Sequence, residues 1–107
     1  MTKLGSIVLI ADKDVKKSEK TSIQSLFIYG ERQKEFEISS DVKSGVTKIK
    51  VDIPKVGTFE TKAKTTKKKG EKTSLNNMLP YLDLNRKLTA SEDVKKSDKL
   101  EVSVETI

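Results

Sequence analysis

The chain has 107 residues, with 22 lysines and arginines against 16 aspartates and glutamates for a net charge of +6, and it contains neither histidine nor cysteine. That length suits one domain, and a hydrophobic fraction of 34% suits a thin core. The missing side chains exclude Ser-His-Asp and Cys-His catalysis, thiolate zinc sites and disulfides, so a non-enzymatic protein without metal or cofactor is expected.

Residues 5–11, Gly-Ser-Ile-Val-Leu-Ile-Ala, form a compact apolar run. It reads as a first strand, central or buried on both faces. The run is far shorter than the ~20 residues of a bilayer-spanning helix, and Met1-Thr2-Lys3-Leu4 does not resemble a secretory leader. A cytoplasmic protein is the expectation.

Residues 12–20 are a charged turn. Residues 22–29, Ser-Ile-Gln-Ser-Leu-Phe-Ile-Tyr, are rich in β-branched and aromatic side chains and are predicted as a second strand. Gly30 opens a turn into residues 34–38, where Phe36 and Ile38 alternate with charge, a predicted third strand hairpinned to the second. Residues 46–53 place Ile49, Val51 and Ile53 on one face and Lys48, Lys50 and Asp52 on the other, the fourth strand. Pro54 cannot donate to a ladder and Gly57 tolerates positive φ, which predicts a hairpin turn into a fifth strand carrying Phe59, Thr61 and Ala63 inward. That inward face weakens at Ala63, so the hairpin is expected to project beyond the core there.

Residues 65–72 read as a basic loop. Ser74 is a predicted N-cap for the one strong helix signal, with Leu75, Met78, Leu79 and Leu82 at helical spacing and Pro80 either ending the helix near Leu79 or kinking it. Tyr81, Leu82, Leu84 and Leu88 are expected to plug an open end of the sheet. Residues 100–106 alternate strictly, a final strand. The predicted fold is mainly β: a small six-stranded antiparallel barrel, OB-like or related, in a single domain over 1–107 with one short helix before the last strand. A two-layer β-sandwich is the alternative.

One repeat punctuates the chain. Residues 14–20, Asp-Val-Lys-Lys-Ser-Glu-Lys, return as 93–99, Asp-Val-Lys-Lys-Ser-Asp-Lys, and in clipped form from Asp41. Each copy reads as a turn delivering the chain into a strand.

Positive charge concentrates between residues 62 and 72, where Lys62, Lys64, Lys67, Lys68, Lys69 and Lys72 stand against Glu71 for a net of +5, leaving the rest of the chain nearly neutral. Such a mobile finger suits a phosphate backbone followed without base reading; the plain alternative is a solvated hairpin tip. Lys48 and Lys50 would extend the cationic surface, or pair with Glu35, Glu37 or Glu60 across strands. Tyr29 and Arg32, flanking Gly30, would offer a stacking face beside a cation, or Tyr29 closes the core edge. Only Arg32 and Arg86 are arginine, a skew expected of an AT-rich genome. The expected function is a nucleic-acid-binding protein directed to single strands or backbone, an accessory factor of a phage or mobile element. The alternative is a protein-binding module, such as a phage-encoded inhibitor or virion component, whose basic loop meets an acidic protein partner.

Overall fold

The computed structural model describes residues 2–107. Its long strands are β1 (Thr2–Ile10), β4 (Lys48–Ile53), β5 (Gly57–Lys62) and β8 (Lys99–Thr106), which form one antiparallel sheet in the order β1-β8-β4-β5. Two-residue strands β2 (Lys20–Thr21) and β7 (Leu88–Thr89) pair with each other, as do β3 (Phe36–Glu37) and β6 (Lys72–Thr73). Among the described residues, four single-turn helices complete the fold: α1 (Ile23–Leu26), α2 (Tyr29–Arg32), α3 (Leu75–Met78) and α4 (Tyr81–Leu84). The protein is mainly β, but its three sheets do not close on one another, so the six-stranded barrel with a single helix gives way to an open main sheet, two short ribbons and four helical turns.

The predicted strand over 22–29 is the largest correction. Ser22 accepts a hydrogen bond from the Ser25 N–H through its hydroxyl, capping α1, and Ile23, Leu26 and Phe27 are buried at i, i+3 and i+4. A capped turn that buries three large side chains outweighs the β propensity of Ile and Phe. The predicted third strand shrinks to β3, which pairs with β6 instead of with its sequence neighbour. β1 is an edge strand, not a central one, with Val8 and Ile10 exposed on its outer face.

Other expectations hold. The 54–57 turn joins β4 to β5, with Val51 opposite Phe59 and Ile53 opposite Gly57. Ser74 caps α3 by accepting from the Asn77 N–H, and the helix stops at Met78 before Pro80. Leu84 is buried and Leu88 packs against the core, but Leu82 points to solvent and plugs nothing.

The architecture is governed by an approximate twofold relation between the halves of the chain, displaced by 52 residues. Ala11 corresponds to Ala63, Ser22 to Ser74, Tyr29 to Tyr81, Asp41 to Asp93 and Val42 to Val94. Hydrogen bonds repeat at the same displacement: the Asp12 N–H donates to Leu26 O at 2.8 Å, and the Lys64 N–H to Met78 O at 2.8 Å. Positive φ recurs at Ser18 and Gly70 and again at Gly45 and Ser97. β4 and β8 pair about the twofold itself, with Val51 opposite Val104 and Asp52 opposite Ser103. β1 and β5 then flank them as equivalent edges.

This relation reassigns the repeat. The counterpart of 14–20 is 66–72, Thr-Lys-Lys-Lys-Gly-Glu-Lys, so the Lys-rich loop is itself a copy and the motif occurs four times. The copies cross in pairs. Val15 bridges Val94, and Val42 bridges Lys67. Asp93 accepts from the Lys17 N–H at 2.7 Å, and Asp41 accepts from the Lys69 N–H at 2.8 Å. Each aspartate therefore ties together two turns from opposite halves, and the conserved part of the motif is explained by backbone donors that need an acceptor.

Candidate functional site

The lysine-rich segment is a fixed turn and not a projecting finger. Ala63 is buried, the Lys64 N–H is bonded to Met78 O, and Lys67 exchanges both backbone hydrogen bonds with Val42. Glu71 accepts from the Lys68 N–H at 2.6 Å, so the single carboxylate of this stretch is engaged by the backbone. Among the described residues, none of the lysine side chains between 62 and 72 forms an ion pair. Their ammonium groups are thus held on an ordered backbone and left to solvent.

The ten residues singled out from sequence do not converge on one surface. Lys48 and Lys62 are cross-strand neighbours and share a shallow depression with Glu60 and Thr61. Lys50 sits in a row of alternating sign across the sheet, Lys3 opposite Glu105, Glu105 opposite Lys50, and Lys50 opposite Glu60. Its register places it on a face of balanced charge, in line with the cross-strand alternative opposite Glu60. Lys67 and Lys68 line a second depression of about 400 Å³ with Asp41, Lys43 and Thr66. Lys72 lies opposite Glu37 in the short ribbon, and the Lys69 N–H donates to Asp41.

Tyr29, Arg32 and Lys64 do come together, in a groove of about 440 Å³ completed by Gln24, Gln33, Asn76, Asn77, Tyr81 and Leu84. Three pairs in this lining are equivalent by the 52-residue displacement: Gln24 with Asn76, Tyr29 with Tyr81, and Arg32 with Leu84. The groove therefore straddles the approximate twofold, away from the sheet, where the two helical segments face each other.

Its first wall is built rigidly. The Arg32 guanidinium lies 5.6 Å from the centre of the Tyr29 ring, donates from Nε to Phe27 O at 3.1 Å and from Nη1 to Asn76 Oδ1 at 3.0 Å. Gln33 donates to the Tyr29 hydroxyl at 2.9 Å. Tyr29 is 64% exposed and Tyr81 67% exposed, so neither ring closes the core edge. The second wall carries Leu84 where the first has Arg32, and adds Lys64, Asn76, Asn77 and Tyr81, so each half of the chain brings one cation to the groove.

Sequence reasoning missed Tyr81, which it placed in a plug. The available signal was the match of Lys-Thr-Ser-Ile at 20–23 with Lys-Thr-Ser-Leu at 72–75, each followed six residues later by a tyrosine. The edge carboxylates serve structure. Glu31 accepts from the Ile10 N–H at 2.7 Å and pairs with Lys34; burial alone would raise its pKa, but those bonds and the Lys34 charge hold it below the usual range. Its counterpart Asp83 accepts from the Thr61 hydroxyl at 2.6 Å and pairs with Arg86, whose guanidinium covers Phe59. Among the described residues no three His, Cys, Asp or Glu gather as a metal site, and no helix is long and apolar enough to cross a membrane. No protein-family model, no curated protein and no solved structure matches this chain.

Proposed function

We propose that the protein is a small non-enzymatic module that binds nucleic acid, directed to single strands or to the backbone. The observation that carries this reading is a run of ammonium groups, Lys62 to Lys72, unpaired among the described residues and set on an ordered turn whose one carboxylate, Glu71, and whose facing Asp41 are both occupied by backbone donors. Point charges held in register follow a phosphate chain at lower ordering cost than a mobile loop would. Exposed Tyr29 and Tyr81 add the aromatic faces that single-strand binders use, beside Arg32 and Lys64. The reading does not depend on a closed OB-like barrel, only on the placement of these side chains. An accessory role in a phage or mobile element, in the cytoplasm of the cell concerned, is the setting we assign to it.

The test is affinity for a fluorescent oligonucleotide across a salt series. If all six lysines neutralise phosphates, single-strand affinity falls by about two to three orders of magnitude between 50 and 200 mM salt. Absence of binding to both single- and double-stranded oligonucleotides at 50 mM salt refutes the proposal. The second reading, a protein-binding module, draws on a separate observation: edge strand β1 exposes Val8 and Ile10 where its twin β5 exposes Glu60 and Lys62. Charged side chains guard one edge, whereas on the other the stretch around Val8, between the Ser39 contact at Leu4 and the Glu31 contact at Ile10, carries no such guard against a partner strand.

A further inference from the structure

Resting on the nucleic-acid reading, we propose that the groove on the approximate twofold is a one-nucleotide subsite, in which an unpaired base stacks on Tyr81 while Arg32 and Lys64 take the adjoining phosphate. Three features lead there. First, the two tyrosines are not equivalent platforms: Arg32 already lies over the Tyr29 ring, whereas among the described residues no cation lies over the Tyr81 ring. Tyr81 is therefore the groove ring that a base can cover without competing with a cation already placed there. Every base presents a π-face to such a ring, so stacking tolerates any sequence.

Second, Arg32 is pre-aimed. Its Nε and Nη1 are committed to Phe27 O and Asn76 Oδ1, which fixes the guanidinium plane and leaves Nη2 for an incoming anion. Lys64 enters the same groove from the other half of the chain, and the first-half residue at its equivalent position is Asp12. One orientation of the strand is thus favoured, with phosphate toward Arg32 and Lys64 and the base toward Leu84 and Tyr81.

Third, the groove contains an unsatisfied donor. Asn76 Nδ2 is buried with no hydrogen-bond partner, and its orientation is fixed because Oδ1 accepts from Arg32. Exchanging the two amide atoms would set donor against donor. A ligand acceptor that displaces the side chains over this amide satisfies it; with the phosphate held toward Arg32 and Lys64, a carbonyl or ring nitrogen of the stacked base is the acceptor we assign to it. At about 440 Å³ the groove suits one nucleotide rather than a longer segment.

The experiment compares a twelve-residue oligothymidylate with an abasic strand of the same length and charge, at 50 mM salt, by fluorescence anisotropy. Wild type is expected to prefer the base-bearing strand by roughly tenfold or more, the scale of one stacked base. Tyr81→Ala should bring that ratio close to one while leaving affinity for the abasic strand unchanged, since Tyr81 is exposed and its loss leaves the core intact. Asn76→Asp keeps the acceptor for Arg32 and removes the donor; its added charge weakens both strands alike, so only a fall in the ratio supports the subsite. Equal wild-type affinity for the two strands, or a ratio unmoved by both variants, overturns the subsite and leaves the lysine reading standing. Binding to neither strand overturns both.

Discussion

Residues 14–20 and 66–72 adopt the same turn in opposite halves of the chain, yet differ sharply in charge. From 10 to 20 four lysines face three carboxylates for a net of +1, whereas from 62 to 72 six lysines face one for a net of +5. Both turns need the acceptor supplied by Asp93 or Asp41, the internal cap from Glu19 or Glu71, and a positive φ at Ser18 or Gly70. Neither needs Lys62, Lys64 or Lys67, whose counterparts are Ile10, Asp12 and Val15. The comparison separates what the fold requires from what has been added to one half, and the addition is cationic. Lys68, Lys69 and Lys72 match Lys16, Lys17 and Lys20 and belong to the shared motif.

The largest expected effect breaks the comparison by charge. Lys67→Gln, Lys68→Gln and Lys69→Gln together should halve the salt slope and lower single-strand affinity at 50 mM salt by about two to three orders of magnitude. Lys16→Gln with Lys17→Gln, on the equivalent turn, should change it far less. Equal losses from the two sets would erase the functional distinction between the turns.

Next comes a position where the halves differ in space. A Cβ at Gly5 would meet the Phe36 ring at 2.6 Å and Glu37 O at 3.1 Å, whereas its twin Gly57 faces open space but has φ of +153°. Gly5→Val should cost about 1–3 kcal/mol or more through overpacking against the buried Phe36 ring and the Glu37 carbonyl, measured by urea denaturation. An unchanged midpoint would mean that β3 does not press on β1 as described.

Smaller effects are expected where the halves agree. Asp41→Ala and Asp93→Ala should each cost about 1–2 kcal/mol, because each leaves a backbone N–H of the facing turn without its acceptor. Similar losses would support the twofold assignment of the four turns; a loss at only one site would count against it.

The smallest effect is a pH dependence confined to one crossing. The Lys95 N–H donates to Asp98, and that bond, ahead of the contacts with Lys55, holds the carboxyl below its usual range despite some desolvation. At the equivalent place Lys43 donates to the hydroxyl of Thr47, which does not titrate. A carboxyl lowered by folding contributes stability that is complete above its unfolded value and disappears as pH falls through the folded one. Asp98→Asn should therefore flatten the stability profile slightly below about pH 4, and Thr47→Val should leave its shape unchanged, both followed by thermal melts.

Much of the strand content was legible locally. Strict alternation in 46–53 and 100–106, the Pro54 to Gly57 turn and the Ser74 cap each act through neighbours a few residues away, and each is found as expected. Residues 22–29 misled because Ile23, Leu26 and Phe27 satisfy a strand's composition and a helix's spacing at once, and only burial under the sheet decides between them. The site was legible in part. Arg32, Tyr29 and Lys64 were identifiable by type, but Tyr81 joins them only through a twofold relation obscured by limited identity between the halves.

By itself the sequence determined the class of secondary structure, the absence of histidine and thiol chemistry, and the concentration of lysine between residues 62 and 72. Tertiary structure alone decided that this lysine segment is an ordered copy of the repeat, that the copies cross between halves, and that a groove opens on their shared axis. The reason is the range of the forces involved. Periodicity and capping act over a few residues along the chain, whereas Lys67 meets Val42, Lys17 meets Asp93, and Arg32 meets Asn76 only after two halves of near-identical shape have packed together.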